Sequence, residues 1–219
     1  MSSDFNGFPC ELEMFLPELH FNNTIAKQSE IKEKYKQIIT QPLMLLYEAL
    51  VPTVLKIDDG FETRPSRCIS SPYADRRFSL GVPFKEYMYI RFRLCGKRED
   101  ILGLYFDMGA DYYSYGLRIY KQTSNGMAIL RQKAAENSKA YDLVLEKIMD
   151  KGFSLVGEKY KKERFPDLTE SSVKDLIDRK RFYISHDVAV NKSIYTPELA
   201  EEIKTGFVQM KDIVELLKR

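Results

Sequence analysis

The spacing of apolar and polar positions changes twice along the chain. Through the first third, apolar residues recur at helical intervals. Leu12, Phe15, Leu16 and Leu19 predict a helix over 10–21, with Pro17 as a kink or break. A polar, Lys/Glu-rich helix over 25–39 keeps Ile31, Tyr35, Ile38 and Ile39 as its apolar stripe. The next helix takes Pro42 in its first turn and aligns Leu43, Leu46, Tyr47, Leu50 and Val54. Pro52 limits its regularity, and Asp58-Asp59-Gly60 stops it.

The middle third switches to a period of two. Residues 68–70 predict a short strand, and 86–95 the clearest one in the chain. There Met88, Ile90, Phe92 and Leu94 face one way, and Tyr87, Tyr89, Arg91 and Arg93 the other. Strands follow over 101–108 and 112–121, separated by polar turns, which predicts an antiparallel meander. In the last of these, Tyr113, Tyr115, Leu117 and Ile119 form the core face, opposite Tyr112, Ser114, Gly116, Arg118 and Tyr120.

Helical spacing returns over 124–136 and from Ser138 to a cap at Gly152. Short strands are predicted over 153–157 and 182–190, with a short helix over 169–180 between them. Thr196-Pro197 opens a final helix whose stripe is Ile203, Phe207, Met210, Val214 and Leu217. Helices, then strands, then helices predict an α+β fold. We expect a single domain over residues 1–219, with a central antiparallel sheet of about five or six strands flanked by N- and C-terminal helices.

Composition narrows the function more than the fold. A chain of 219 residues buries roughly 70% of its unfolded surface and needs no staples. A net charge of +2, from 34 basic and 32 acidic residues, argues against a protein that coats nucleic acid, though it leaves room for a local patch. Cys10, Cys68 and Cys95 are odd in number and lack C-x-x-C or zinc spacing, so thiols in a reducing cytoplasm are expected. The N-terminus lacks a basic n-region and a clean apolar h-region, and no run approaches the roughly 18 consecutive apolar residues of a membrane span. The sequons at Asn22 and Asn191 are then chance matches.

The candidate chemistry lies in residues 64–93, where seven Lys or Arg face only Asp75 and Glu86. Guanidiniums and phenols together hold planar or anionic groups. Asp75, Arg77, Ser79 and Lys85 form either an anion site or a structural ion-pair network. A charge-assisted hydrogen bond is worth about 1.5–3 kcal/mol in either role, so magnitude does not choose. The tyrosine and arginine face of 86–95 extends to Tyr112, Arg118 and Tyr120 if the strands are neighbours.

The basic clusters Lys159/Lys161/Lys162/Arg164 and Arg179/Lys180/Arg181 read as solvated faces, given Glu158, Glu163 and Asp178 beside them. His20 and His186 lack metal-ligand spacing, and no P-loop, G-x-G-x-x-G or G-x-S-x-G occurs, so no metal or cofactor is expected. Aromatic and arginine side chains on a sheet also suit single-stranded nucleic acid, but no RNP-type motif accompanies them.

Four segments, in this order, carry a family resemblance: F-L-P-E-L-H-F-N-N (15–23), D-R-R-F-S-L-G-V-P-F-K (75–85), Y-Y-S-Y-G-L-R-I-Y (112–120) with Arg131 downstream, and S-L-V-G-E-K-Y-K-K (154–162). Together they resemble a widespread family of conserved proteins defined as a domain of unknown function. Its marks are F-L-x-x-L-x-x-N-N and D-x-R-F-S…P-[YF]-K. Ala74 stands where the family commonly has Arg, Leu80-Gly81-Val82 replaces a Lys-rich spacer, and no Trp follows the Asn pair. The resemblance implies one full-length α+β domain and no established activity.

The expectation is a binding module for a small anionic ligand, phosphate- or carboxylate-bearing. Its site would draw on Arg67, Arg76, Arg77, Ser79, Lys85, Tyr87, Tyr89, Arg91 and Arg118. One alternative is an enzyme using the same cleft, with Asp75 as acid/base and Arg77 as electrostatic stabiliser. Another is a protein-interaction domain whose Arg/Asp network is structural. Membrane and nucleic acid are not expected partners.

Overall fold

The computed structural model describes residues 4–75, 77, 79–94, 102–119, 124–162 and 171–218. Helix α1 (Leu12–Asn22) continues through Pro17 and buries Leu12, Phe15, Leu16 and Leu19. A 3-10 turn (Ile25–Lys27), α2 (Gln28–Tyr35), a π-turn (Lys36–Thr40) and α3 (Gln41–Ile57) then follow without interruption. The π-turn is the departure from the expected pair of helices. Proline has no N–H, and its ring crowds the carbonyl one turn back. Just before Pro42 the ladder widens, so that the Gln41 N–H reaches back five residues to Lys36 O.

The run from Ile25 to Ile57 includes an 18-residue window long and apolar enough to cross a membrane by length and composition. Here Leu43, Leu46, Leu50 and Val54 are buried, and α3 packs on α8 (Glu198–Gln209) and on the first strand of the sheet. The Asp58 carboxylate accepts from the Gly60 N–H at 2.8 Å just after α3 ends.

The sheet is antiparallel throughout, with strands β1 (Met88–Arg93), β2 (Leu102–Met108), β3 (Tyr112–Ile119), β4 (Ser154–Val156) and β5 (Tyr183–Ala189) in the order β1-β2-β3-β5-β4. The predicted meander is β1-β2-β3. One face is apolar: Met88, Ile90 and Phe92 lie across from Met108, Phe106 and Leu104, and these from Tyr113, Tyr115 and Leu117. Helices α3 and α8 cover this face. Tyr113 and Tyr115 both donate to the Glu202 carboxylate of α8, at 3.2 and 3.1 Å, which lets two phenols sit under a helix.

Elsewhere the pattern needs two corrections. Residues 68–70 are not a strand. Pro65 opens a helical turn, α4 (Pro65–Cys68), and only Ile69 bridges to Ile90 on the outer edge of β1. The final helix is two, α8 and α9 (Lys211–Lys218), meeting at Met210, with Ile203, Phe207, Met210 and Val214 buried across both.

Between β3 and β5 lie α5 (Ser124–Glu136), α6 (Ser138–Met149) and α7 (Ser172–Ile177). Arg131 is buried and donates to the carbonyls of Ile177, Arg179 and Lys180, satisfying the end of α7. The basic clusters pair locally: Lys159 and Arg179 with Asp175, and Lys180 with Glu158. The result is a single-domain α+β fold with an open sheet and helices from both ends of the chain.

Candidate functional site

The second face of the sheet is polar, and the strand registers set it in three rows. Tyr89 of β1 lies across from Asp107, then Ser114, then Asp187. Arg91 is followed by Tyr105, Gly116 and Ser185. Arg93 is followed by Gly103, Arg118 and Tyr183. Because neighbouring strands lie about 4.8 Å apart, Arg91 and Arg118 share one surface although β2 separates their strands.

Ring contacts shape this surface. The Arg118 guanidinium lies 4.6 Å from the Tyr105 ring centre and 5.0 Å from that of Tyr183. Tyr105 reaches across β3: its hydroxyl donates to Ser185 Oγ at 2.7 Å, and Ser185 donates in turn to Asp187 at 2.6 Å. Burial pushes the Tyr105 phenol up to about 12. Burial also raises the Asp107 carboxyl, while Arg118 and Arg91 oppose it.

The preceding loop supplies a third cation. Lys85 Nζ lies 5.4 Å from the Tyr89 ring centre, and the Arg91 guanidinium lies 3.5 Å from it. Burial lowers the Lys85 ammonium, the Arg91 charge lowers it further, and Asp75 opposes both. The strand face and the end of the loop therefore share one electrostatic environment. Tyr87 stands at its rim, half exposed and 6.4 Å from Tyr89 between ring centres.

The other sequence-predicted residues have their own partners. Arg77 pairs with Asp75 at 2.6 Å, and its side chain is 80% exposed. That hydrogen bond holds the Asp75 carboxyl down to about 2, which makes it a poor proton carrier near neutrality. Ser79 lines a different recess, about 460 Å³, with Ile25, Tyr73, Leu80 and Val82. Arg76 lies outside the described residues.

Arg67 belongs to the edge of β1. It lies 3.6 Å from Glu62, and its carbonyl accepts from Arg93 at 3.1 Å. Hydrogen bonds from Arg64 are the main reason the Glu62 carboxyl falls to about 2. A depressed carboxylate stabilises the fold above its unfolded value near 4.5 and loses that contribution as pH falls through about 2. Glu62→Gln is thus expected to lower the melting temperature at pH 7, with the gap to wild type closing by pH 2 in a pH series of thermal melts.

Sequence reasoning missed Tyr105, Asp107, Tyr183, Ser185 and Asp187. The signal available was the same alternation that exposed β1, applied to 102–108 and 183–189 once the register is known. His186 points to the opposite face, where its Nδ1 lies 2.8 Å from Gly152 O and its ring meets Tyr115 and Phe153. Among the described residues, no group of three or more His, Cys, Asp or Glu is placed to hold a metal ion.

Fold and site together define a single-domain α+β protein with a basic, tyrosine-lined sheet face. The chain belongs to the DUF2461 family of conserved hypothetical proteins, whose model matches residues 11–216. No curated protein matches it. Two of the segments that carry the resemblance meet in space. Asn23 donates to Phe84 O at 2.8 Å and accepts from Phe84 N at 3.0 Å, which fixes the residue before Lys85.

Proposed function

We propose that the protein is a binding module for a small anionic ligand, held on the polar sheet face by Lys85, Arg91 and Arg118, with Tyr89 and Tyr183 as walls. The observation that carries this reading is the gathering of three cations from a loop and two strands onto one aromatic surface. The planar fork of a guanidinium matches the geometry of carboxylate and phosphate oxygens. Arg77, Ser79 and Arg67 are left out of this reading because their contacts are elsewhere, with Asp75, the second recess and Glu62. A cytoplasmic location fits Cys10 and Cys68, both present as thiols.

Inorganic phosphate is expected to raise the melting temperature in a salt-dependent manner. At a hundredfold excess over Kd the stabilisation is about 2.7 kcal/mol, or roughly 5–10 °C for a chain of this size. Arg91→Ala and Arg118→Ala should each remove most of the shift, and Arg77→Ala should keep it. An unchanged shift in both of the first two variants would place the anion elsewhere.

A further inference from the structure

One carboxylate on the polar face is out of keeping with a plain anion site. Asp107 stands in the row between Tyr89 and Ser114, with its side chain 14% exposed. Arg118 Nη1 approaches Asp107 Oδ2 only to 3.4 Å, long for a charge-assisted bond. Oδ1 is buried and accepts no hydrogen bond among the described residues. A buried acceptor without a donor is unusual in a folded protein and needs an explanation, which an incoming donor would supply. The carboxyl group also turns easily about its Cβ–Cγ bond, so either oxygen can be offered to an incoming group.

A carboxylate repels an anion unless the anion brings a proton to the contact. Hydrogen phosphate and sulfate share size, tetrahedral shape and the same double negative charge. Cations alone do not separate them. They differ in one respect: hydrogen phosphate has a P–OH donor, and sulfate has acceptors only. We propose that Asp107 makes this face selective for phosphate groups that carry a P–OH, and excludes fully deprotonated oxyanions such as sulfate. The P–OH donates to Asp107, and the remaining oxygens accept from Arg118, Arg91 and Lys85. The inference rests on the reading of this face as an anion site and adds which anions it admits. A site built to receive a donor rejects the analogue that lacks one, because the buried acceptor is then left unpaired.

The test is calorimetric titration of the full chain with sodium phosphate and with sodium sulfate at matched ionic strength. Phosphate is expected to bind at least about tenfold more tightly, the lower end of what one charge-assisted hydrogen bond supplies. In Asp107→Asn the amide can present its own N–H, so sulfate should gain and the ratio should fall to about one. A thermal melt without ligand establishes that the variant is folded. If it is not, the wild-type ratio still decides. Equal affinities in the wild type overturn the proposal while leaving the anion site standing. A preference preserved in folded Asp107→Asn overturns it as well. If neither ion binds the wild type, the anion site itself is wrong. Glycerol phosphate at pH 6, where its second proton is about half bound, separates two sources of the same group. A response equal to that of phosphate supports an esterified ligand, and a response to phosphate alone supports the free ion.

Discussion

Gly116→Ala is expected to remove about 3 kcal/mol or more of stability, a large share of the 5–15 kcal/mol typical of a domain. Gly116 has φ +152°, and a Cβ there would stand 2.1 Å from the carbonyl oxygen of Ile184. That oxygen belongs to the backbone of the neighbouring strand, so relief requires β3 and β5 to part. Gly81→Ala is the control. It too has positive φ, +82°, but nothing lies within 4 Å of the added carbon. Its cost is the backbone alone, about 1 kcal/mol. Urea denaturation of the two variants separates steric from conformational cost. Equal losses would mean that the strands yield.

The parts of the site that were legible beforehand are those whose strand is buried on one side only. β1 alternates cleanly because Met88, Ile90 and Phe92 enter the core while Tyr89, Arg91 and Arg93 do not. β2 reads Leu-Gly-Leu-Tyr-Phe-Asp-Met and is buried on both faces except at Asp107, so its polar face is hidden behind a glycine and a tyrosine. Periodicity reports burial, and it has nothing to report where both faces are covered. The order of the first three strands was legible, because the polar turns between them predicted the meander that sets Arg91 and Arg118 on one face. The pairing of β5 with β3 was the other gap. β5 joins β3 from far along the chain, and it brings Ser185 and Asp187 with it. The loop charges were the reverse case. Asp75 and Arg77, two apart, read as site or ion pair with equal ease, and in the structure they form an exposed pair at 2.6 Å. The helices were read well because each carries one buried stripe. The π-turn ahead of Pro42 needed the knowledge that α2 and α3 form one continuous run.

Asn23→Ala should cost about 3 kcal/mol in the same denaturation assay, because it strands two buried backbone groups of Phe84 at roughly 1–3 kcal/mol each. The Asn23 amide meets the N–H and the C=O of that one residue, as a partner strand would. Phe84 is otherwise held by packing, stacked at 5.1 Å on Tyr35 and beside Tyr73. Lys85 comes next: its carbonyl accepts from the Tyr35 hydroxyl at 3.1 Å, and its N–H donates to Pro72 O at 2.9 Å. Asn23 therefore acts on the proposed site at one remove, as a positioning residue. Tyr35→Phe removes a single hydrogen bond and keeps the stack, so a loss of about 1 kcal/mol is expected. Asn23→Asp keeps the acceptor but sets a carboxylate against the Phe84 carbonyl, and should resemble Asn23→Ala. The separating measurement is phosphate affinity well below each variant's melting temperature. If the clasp orients Lys85, Asn23→Ala weakens binding more than Tyr35→Phe does. If Asn23 serves the fold alone, both bind as wild type once folded, and the contribution of Lys85 must then be secured by the contact between its side chain and Tyr89 rather than by its backbone.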